Sequence, residues 1–307
     1  MHIMGMKTTP KCAVLLLNFA ILLALAPARA QKVIPAVYPA KGFSVGCQAN
    51  TFNRFTVFEA IEKTAQAGGR IIEFYPDQKL SKDEPDVLWN HNASDEIIAK
   101  VKHKLAQHDI LAVSYGVVNI PKDEPQARRV FEFAVKMGLR TLITESVDAI
   151  DTFEKLAKVY DIGIAYHHHP RRLNDASYRL WDPSYIADLL KGRDRRIGAC
   201  VDTGNWTRSG IRPVDGIRIL KGRILCVHLK DMTEFGKRDA HEVPFGTGAS
   251  EIRACLEELT AQGFEGDIAV EYEFNPEDNL SEVVKCIQFL REFAGVQQQI
   301  RAGERIK

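Results

Sequence analysis

Carboxylates and imidazoles recur in this 307-residue chain at one kind of place, the end of a short apolar run. Glu73 and Tyr75 close one such run and Glu145 another. His167, His168 and His169 follow a third, Asp202 ends a fourth, His228 and Lys230 a fifth, Glu271 and Glu273 a sixth. Side chains of these types can hold a divalent ion through mixed nitrogen and oxygen ligands, or move protons as acid–base pairs. A carboxylate is costly to bury alone, so each apolar run ending in one requires a metal, a basic partner or water beside it.

The runs read as β-strands. Residues 43–47, 71–75, 110–115, 141–145, 163–167, 197–202, 224–229 and 268–273 are rich in β-branched and apolar side chains. Side chains alternate along a strand, so His167 and His169 share a face while His168 points away. The same rule pairs His228 with Lys230, and Glu271 with Glu273. Amphipathic helical segments separate the strands. Thr56 with Glu59 forms a capping-box pattern, Ser94 precedes Asp95 and Glu96, and Pro125 and Pro213 fall where first-turn prolines belong. Gly138, Gly192, Gly222 and Gly263 each follow a helical run. Eight strand–helix units predict a closed (β/α)8 TIM barrel, an α/β fold in one domain. An open doubly wound sheet is the alternative, and no Gly-x-Gly-x-x-Gly after the first strand supports it. In a barrel, the long loops 76–93, 168–183 and 230–248 all rise from the C-terminal rim, where active sites sit.

The first thirty residues read as an address rather than as fold. A basic stretch ending at Lys11 precedes an apolar run, and Ala28-Arg29-Ala30 follows with the small-x-small pattern of a signal-peptidase site. Cys12 lies before the apolar run, which argues against a lipoprotein. Residues 1–30 are therefore expected to be a signal peptide and residues 31–307 the barrel domain. The mature chain would be exported, periplasmic or secreted, and would keep no stable membrane insertion. With 41 basic and 40 acidic residues the charge nearly cancels, which speaks against a nucleic-acid partner. Cys47, Cys200, Cys226, Cys255 and Cys286 form no C-x-x-C pair, and most lie in apolar runs, so packing must hold the core.

Four segments carry a family likeness: Cys200-Val201-Asp202-Thr203-Gly204-Asn205-Trp206, Val227-His228-Leu229-Lys230-Asp231, Val243-Pro244-Phe245-Gly246-Thr247-Gly248 and Val270-Glu271-Tyr272-Glu273. In order, spacing and strand-end placement the chain resembles the xylose isomerase-like barrels. That group spans sugar isomerases and epimerases and the endonuclease IV-type DNA-repair enzymes. In its epimerase branch a divalent metal is held by Glu, Asp, His and Glu from strands five to eight. The last three carry over onto Asp202, His228 and Glu271. His167 stands where the strand-five Glu is expected, and Glu145, one strand earlier, is the candidate to supply the missing carboxylate. Asn205 stands where relatives often have His.

The resemblance thus implies metal ligands Glu145, Asp202, His228 and Glu271, with catalytic roles for Glu145, His167 and Glu271. His169, Lys230, Trp206 and Glu73 are the expected substrate contacts. Manganese is the metal the resemblance favours, ahead of zinc, cobalt or iron. The implied activity is isomerisation or epimerisation of an unphosphorylated sugar through an enediolate, since phosphorylated intermediates are normally cytoplasmic. His167 motivates an alternative, elimination from or hydration of a 3-keto-glycoside, and a non-catalytic sugar-binding barrel is the reading from another class. Trp89, Trp181, Trp206 and Phe235 are either sugar platforms or loop packing. Gly246-x-Gly248 is too short to claim a phosphate loop. A homo-oligomer is compatible with the resemblance, although no seam is visible.

Overall fold

The computed structural model describes residues 43–301 together with residue 1 and the pair Pro39–Ala40, with side chains described for 43–295. The expected signal segment lies outside the described residues, residue 1 apart. Eight strands, β1 Phe43–Gln48, β2 Ile71–Phe74, β3 Leu111–Tyr115, β4 Thr141–Thr144, β5 Gly163–Tyr166, β6 Ile197–Asp202, β7 Ile224–Leu229 and β8 Asp267–Val270, pair in parallel in chain order. The ring closes twice over at β1, which pairs with β8 through Cys47↔Val270 and with β2 through Cys47↔Ile72. This is the expected TIM barrel.

The helices around it are α1 Val57–Gln66, α2 Asp95–Gln107, α3 Glu124–Met137, α4 Ile150–Tyr160, α5 Pro183–Leu190, α6 Thr203–Arg208, α7 Pro213–Ile219, α8 Ile252–Ala261 and α9 Leu280–Arg301. Their boundaries follow local chemistry. Thr56 and Glu59 form the reciprocal capping box, and Ser94 caps α2 by accepting from the backbone N–H of Ile97. Gly138 ends α3 at φ 82°, a left-handed conformation costly for a residue with a Cβ. Among the described residues no helix is long and apolar enough to cross a membrane.

The main core lies between strands and helices, and a smaller one fills the barrel. Ile143, Ala165, Cys200 and Cys226 pack together inside it. Each stands two residues before a chemistry-bearing position: Glu145, His167, Asp202 and His228. Strand alternation therefore raises the site directly on the last apolar inward layer. At β3 an extra residue interrupts the register, so that Ser114 rather than Val113 lies opposite Glu73. All five described cysteines are buried and unbridged. Burial pushes the Cys47 and Cys286 thiols up to about 12.

Candidate active site

At the C-terminal rim two imidazoles each stand between carboxylates. His228, almost fully buried on β7, has Nε2 2.7 Å from Glu73 Oε1, while Nδ1 faces Glu271 Oε2 at 3.3 Å. His167, immediately after β5, has Nδ1 3.2 Å from Glu145 Oε1 and Nε2 3.6 Å from Asp202 Oδ2. Burial alone would lower both imidazole pKa values. The carboxylates reverse this, raising His167 through Asp202 and Glu145, and raising His228 well above the usual histidine range through Glu73 and Glu271.

Lys230 forms a third centre. Its buried ammonium lies 2.7 Å from Glu271 Oε2, 2.8 Å from Glu273 Oε2 and 3.4 Å from Asp202 Oδ2. Burial opposes the charge, but the three acids hold its pKa well above that of a free lysine. Conversely, burial would raise Asp202 and Glu271, yet Lys230, together with His167 and His228 respectively, holds both carboxyls well below the ordinary range. Gly204 permits this arrangement, because a Cβ there would come within 2.7 Å of Lys230 Cβ. Asn205 fixes Asp202 from two sides, its backbone N–H on Oδ1 at 2.7 Å and its Nδ2 on Oδ2 at 2.8 Å.

A divalent ion would take these imidazoles in their neutral form, displacing the proton that the carboxylates otherwise favour, and would need one ring nitrogen of each left without another partner. His167 Nε2 and His228 Nδ1 are buried and make no hydrogen bond, and with Asp202 their ligand atoms lie within 4.8 Å of one another. Two unsatisfied imidazole nitrogens facing a carboxylate, with Glu271 alongside, form a fitting donor set for a borderline metal. Glu145 is placed differently from the expected ligand set. Its Oε1 accepts from Tyr178 Oη at 3.0 Å and lies 2.6 Å from His169 Nδ1, across the His167 ring from Asp202. It belongs instead to a second group, Glu145, His167 and His169, which shares His167 with the first. Burial would raise the Glu145 carboxyl, but His167 and His169 hold it far below its usual value.

Two expected substrate contacts, Glu73 and Trp206, do not line the cavity. Glu73 is sealed, accepting from Ser114 Oγ at 2.8 Å and facing His228, a position suited to orienting that imidazole. Trp206 is also sealed, with Nε1 donating to the Trp181 carbonyl and its ring stacked on His168 at 4.6 Å. Among the other aromatics, Trp89 is buried and Phe235 projects outward. His169 and Lys230 do line the central cavity of about 920 Å³, together with Glu145, His167, Glu271 and Glu273.

Sequence reasoning missed three contributors. Asn50 follows β1 and donates to Glu273 Oε1 at 2.8 Å; its strand-end position was the available signal. Tyr178 lies in an irregular loop with no periodicity to mark it. His168, read only as pointing away, accepts the Asp202 backbone N–H at 3.0 Å, and burial pushes its pKa down to about 3, which keeps it a neutral acceptor.

Residues 61–293 match the family model described as xylose isomerase-like TIM barrel. A solved structure of an uncharacterized protein from Parabacteroides distasonis ATCC 8503 is similar at 31% identity and TM-score 0.66, covering 82% of this chain and 99% of that one. A D-psicose 3-epimerase structure obtained in the presence of D-fructose shares the fold at 14% identity and TM-score 0.62, over 82% of this chain and 99% of that one. An L-ribulose 3-epimerase does so at 17% identity and TM-score 0.59, over 86% and 99%. No curated protein matches the chain. With three-quarters of its length matched and the strand-end groups gathered on one rim, the chain belongs to the xylose isomerase-like TIM barrel family.

Proposed function

We propose that this protein is a metal-dependent sugar isomerase or epimerase that shifts a proton on the carbon beside a sugar carbonyl, through an enediolate. The observation that carries the proposal is the placement of two carboxylates, Glu145 and Glu271, in one cavity flanking the His167–Asp202–His228 group. The likeness in fold to a D-psicose 3-epimerase and an L-ribulose 3-epimerase supports the reaction class. Export, read from residues 1–30, belongs to the same proposal and favours an unphosphorylated substrate.

A divalent ion, manganese first, held by His167, Asp202, His228 and Glu271 would supply Lewis-acid polarisation of the sugar oxygens. Glu271, kept ionised and oriented by Lys230, is the base facing the carbon-bound proton. Glu145, clasped by His167, His169 and Tyr178, is the opposing carboxylate that stabilises or returns the proton. Lys230 and His169 are placed to hold substrate hydroxyls.

One observation favours a second reading. The two flanks are chemically unlike, an imidazole-clasped carboxylate on one side and a lysine-clasped one on the other. Such a pair suits elimination from a 3-keto-glycoside, in which one side takes the proton and the other returns a proton to the departing glycosidic oxygen. Elemental analysis of the metal-loaded protein, followed by proton NMR in D2O with free ketoses and with 3-keto-glycosides, separates these readings. Metal-dependent deuterium entry beside the carbonyl of a free sugar is the expected result. An unsaturated or cleaved glycoside would replace it with the lyase. Bound metal with neither outcome would leave a sugar-binding barrel.

A further inference from the structure

Lys122, Arg208 and Lys230 all line the central cavity. Lys122 pairs with Asp148, and the Lys230 ammonium is taken up by Asp202, Glu271 and Glu273. Arg208 is held differently. It is the last residue of α6, and its side chain is 19% exposed. Its Nε donates to the Ala240 carbonyl at 3.0 Å and its Nη2 to Oε1 of the buried Glu242 at 3.1 Å. Both partners lie in the loop after β7, where Asp231–Met232 and Glu242–Val243 pair as a short antiparallel ribbon. A guanidinium is rigid and planar, so fixing two of its nitrogens fixes the third. Nη1 is that third nitrogen, and it makes no hydrogen bond among the described residues.

One turn earlier on α6, Asn205 supplies the complementary atom. Its Nδ2 donates to Asp202 Oδ2 at 2.8 Å and to the His168 carbonyl at 3.0 Å. Both partners are acceptors, so the amide cannot be turned over, and Oδ1 is the atom left free. Positions i and i+3 share a helix face, and both residues line the cavity. A donor and an acceptor one turn apart match a hydroxyl, which accepts from the first and donates to the second. A carboxylate or phosphate would instead meet the Asn205 oxygen and the buried negative charge of Glu242.

We propose that Arg208 is a specificity-determining residue whose Nη1 holds an uncharged sugar hydroxyl, with Asn205 Oδ1 accepting from the same group. This inference rests on the reading that a free ketose turns over at the strand ends. To test it, protein loaded with Mn2+ is incubated in D2O with D-fructose, D-tagatose, D-xylulose and L-ribulose. Deuterium beside the carbonyl is then measured by proton NMR in the recovered sugar as its concentration is varied. Arg208→Lys keeps a cation for Glu242 but loses the planar fork. It is expected to raise KM about tenfold or more, with kcat within roughly twofold of the parent. Arg208→Gln is read beside it, and circular dichroism with the thermal midpoint shows which variant keeps the parent fold. With the singly deoxygenated ketose that lacks the bound hydroxyl, parent and variant KM values converge, whereas a merely structural role raises KM for that sugar too. Exchange by the parent with an unchanged KM in the folded variant overturns the assignment and leaves the isomerase reading intact. So does a rise that persists equally for every deoxygenated ketose. No exchange by the parent with any of the ketoses overturns both.

Discussion

His228 is fixed at its strand end by two acids of different depth, Glu73 beneath it and Glu271 at the cavity. A metal-binding imidazole depends on the group that holds its other nitrogen, which sets tautomer and ring orientation. Glu73→Gln keeps the volume and the Ser114 contact but weakens that hold, and is expected to loosen the proposed divalent ion about 10–100-fold while leaving the fold intact. Metal titration with parallel circular dichroism measures both. Strand alternation made the inward direction of Glu73 legible from the sequence, but not its depth. Depth depends on the stagger of the strands and on the interruption in β3 that sets Ser114 opposite it. For Glu145 the strand end was legible and the rotamer was not. Its direction is decided by Tyr178 and His169, which reach it from an irregular loop.

The elements themselves were written plainly. All eight strands fall within three residues of the expected limits, because β-branched runs alternate with capped amphipathic helices. The Gly246-Thr247-Gly248 turn was harder to read. In the structure its anion is the chain's own: the N–H groups of Gly246 and Gly248 donate to Asp231 Oδ2 at 2.9 and 3.0 Å, and that of Ser250 to Oδ1 at 3.0 Å. A Cβ on Gly248 would lie 2.4 Å from the Met232 carbonyl, so the close approach requires glycine. Asp231→Asn places an amide N–H against a donor. The expected loss is on the order of 2 kcal/mol, read as a thermal midpoint lower by roughly 4–8 °C. An unchanged midpoint would mean that the loop does not depend on this carboxylate.

At the scale of the molecule, one buried acid on the side of the barrel away from the site makes stability depend on pH. Burial pushes the Asp267 carboxyl from 3.8 up to about 6, against the pull of Arg140 at 3.2 Å. Between those values the folded state keeps a proton that the unfolded chain releases, so stability falls as pH rises through the window and levels off above it. Asp267→Asn removes this component. The stability of the variant relative to the parent should therefore rise by on the order of 2 kcal/mol between pH 4 and pH 6, as urea denaturation across that range would show. The barrel was legible from eight repeated units. The cavity lining from the loops after β3 and β4 was not, because its residues, Val117 and Lys122 among them, lie where no period sorts apolar from polar positions.

The double pairing of β1 has a temporal consequence. Asp267–Val270 of β8 must be present before Ser44–Cys47 of β1 can be sealed on that edge, so the contact that closes the ring is also among the most distant in sequence. Contacts of this kind form late and slowly, since the loop between them has to be ordered first. An emerging chain therefore cannot complete its barrel until nearly all of it has been synthesised. For a polypeptide proposed to be threaded unfolded through a membrane behind residues 1–30, that delay would help to keep it competent for passage.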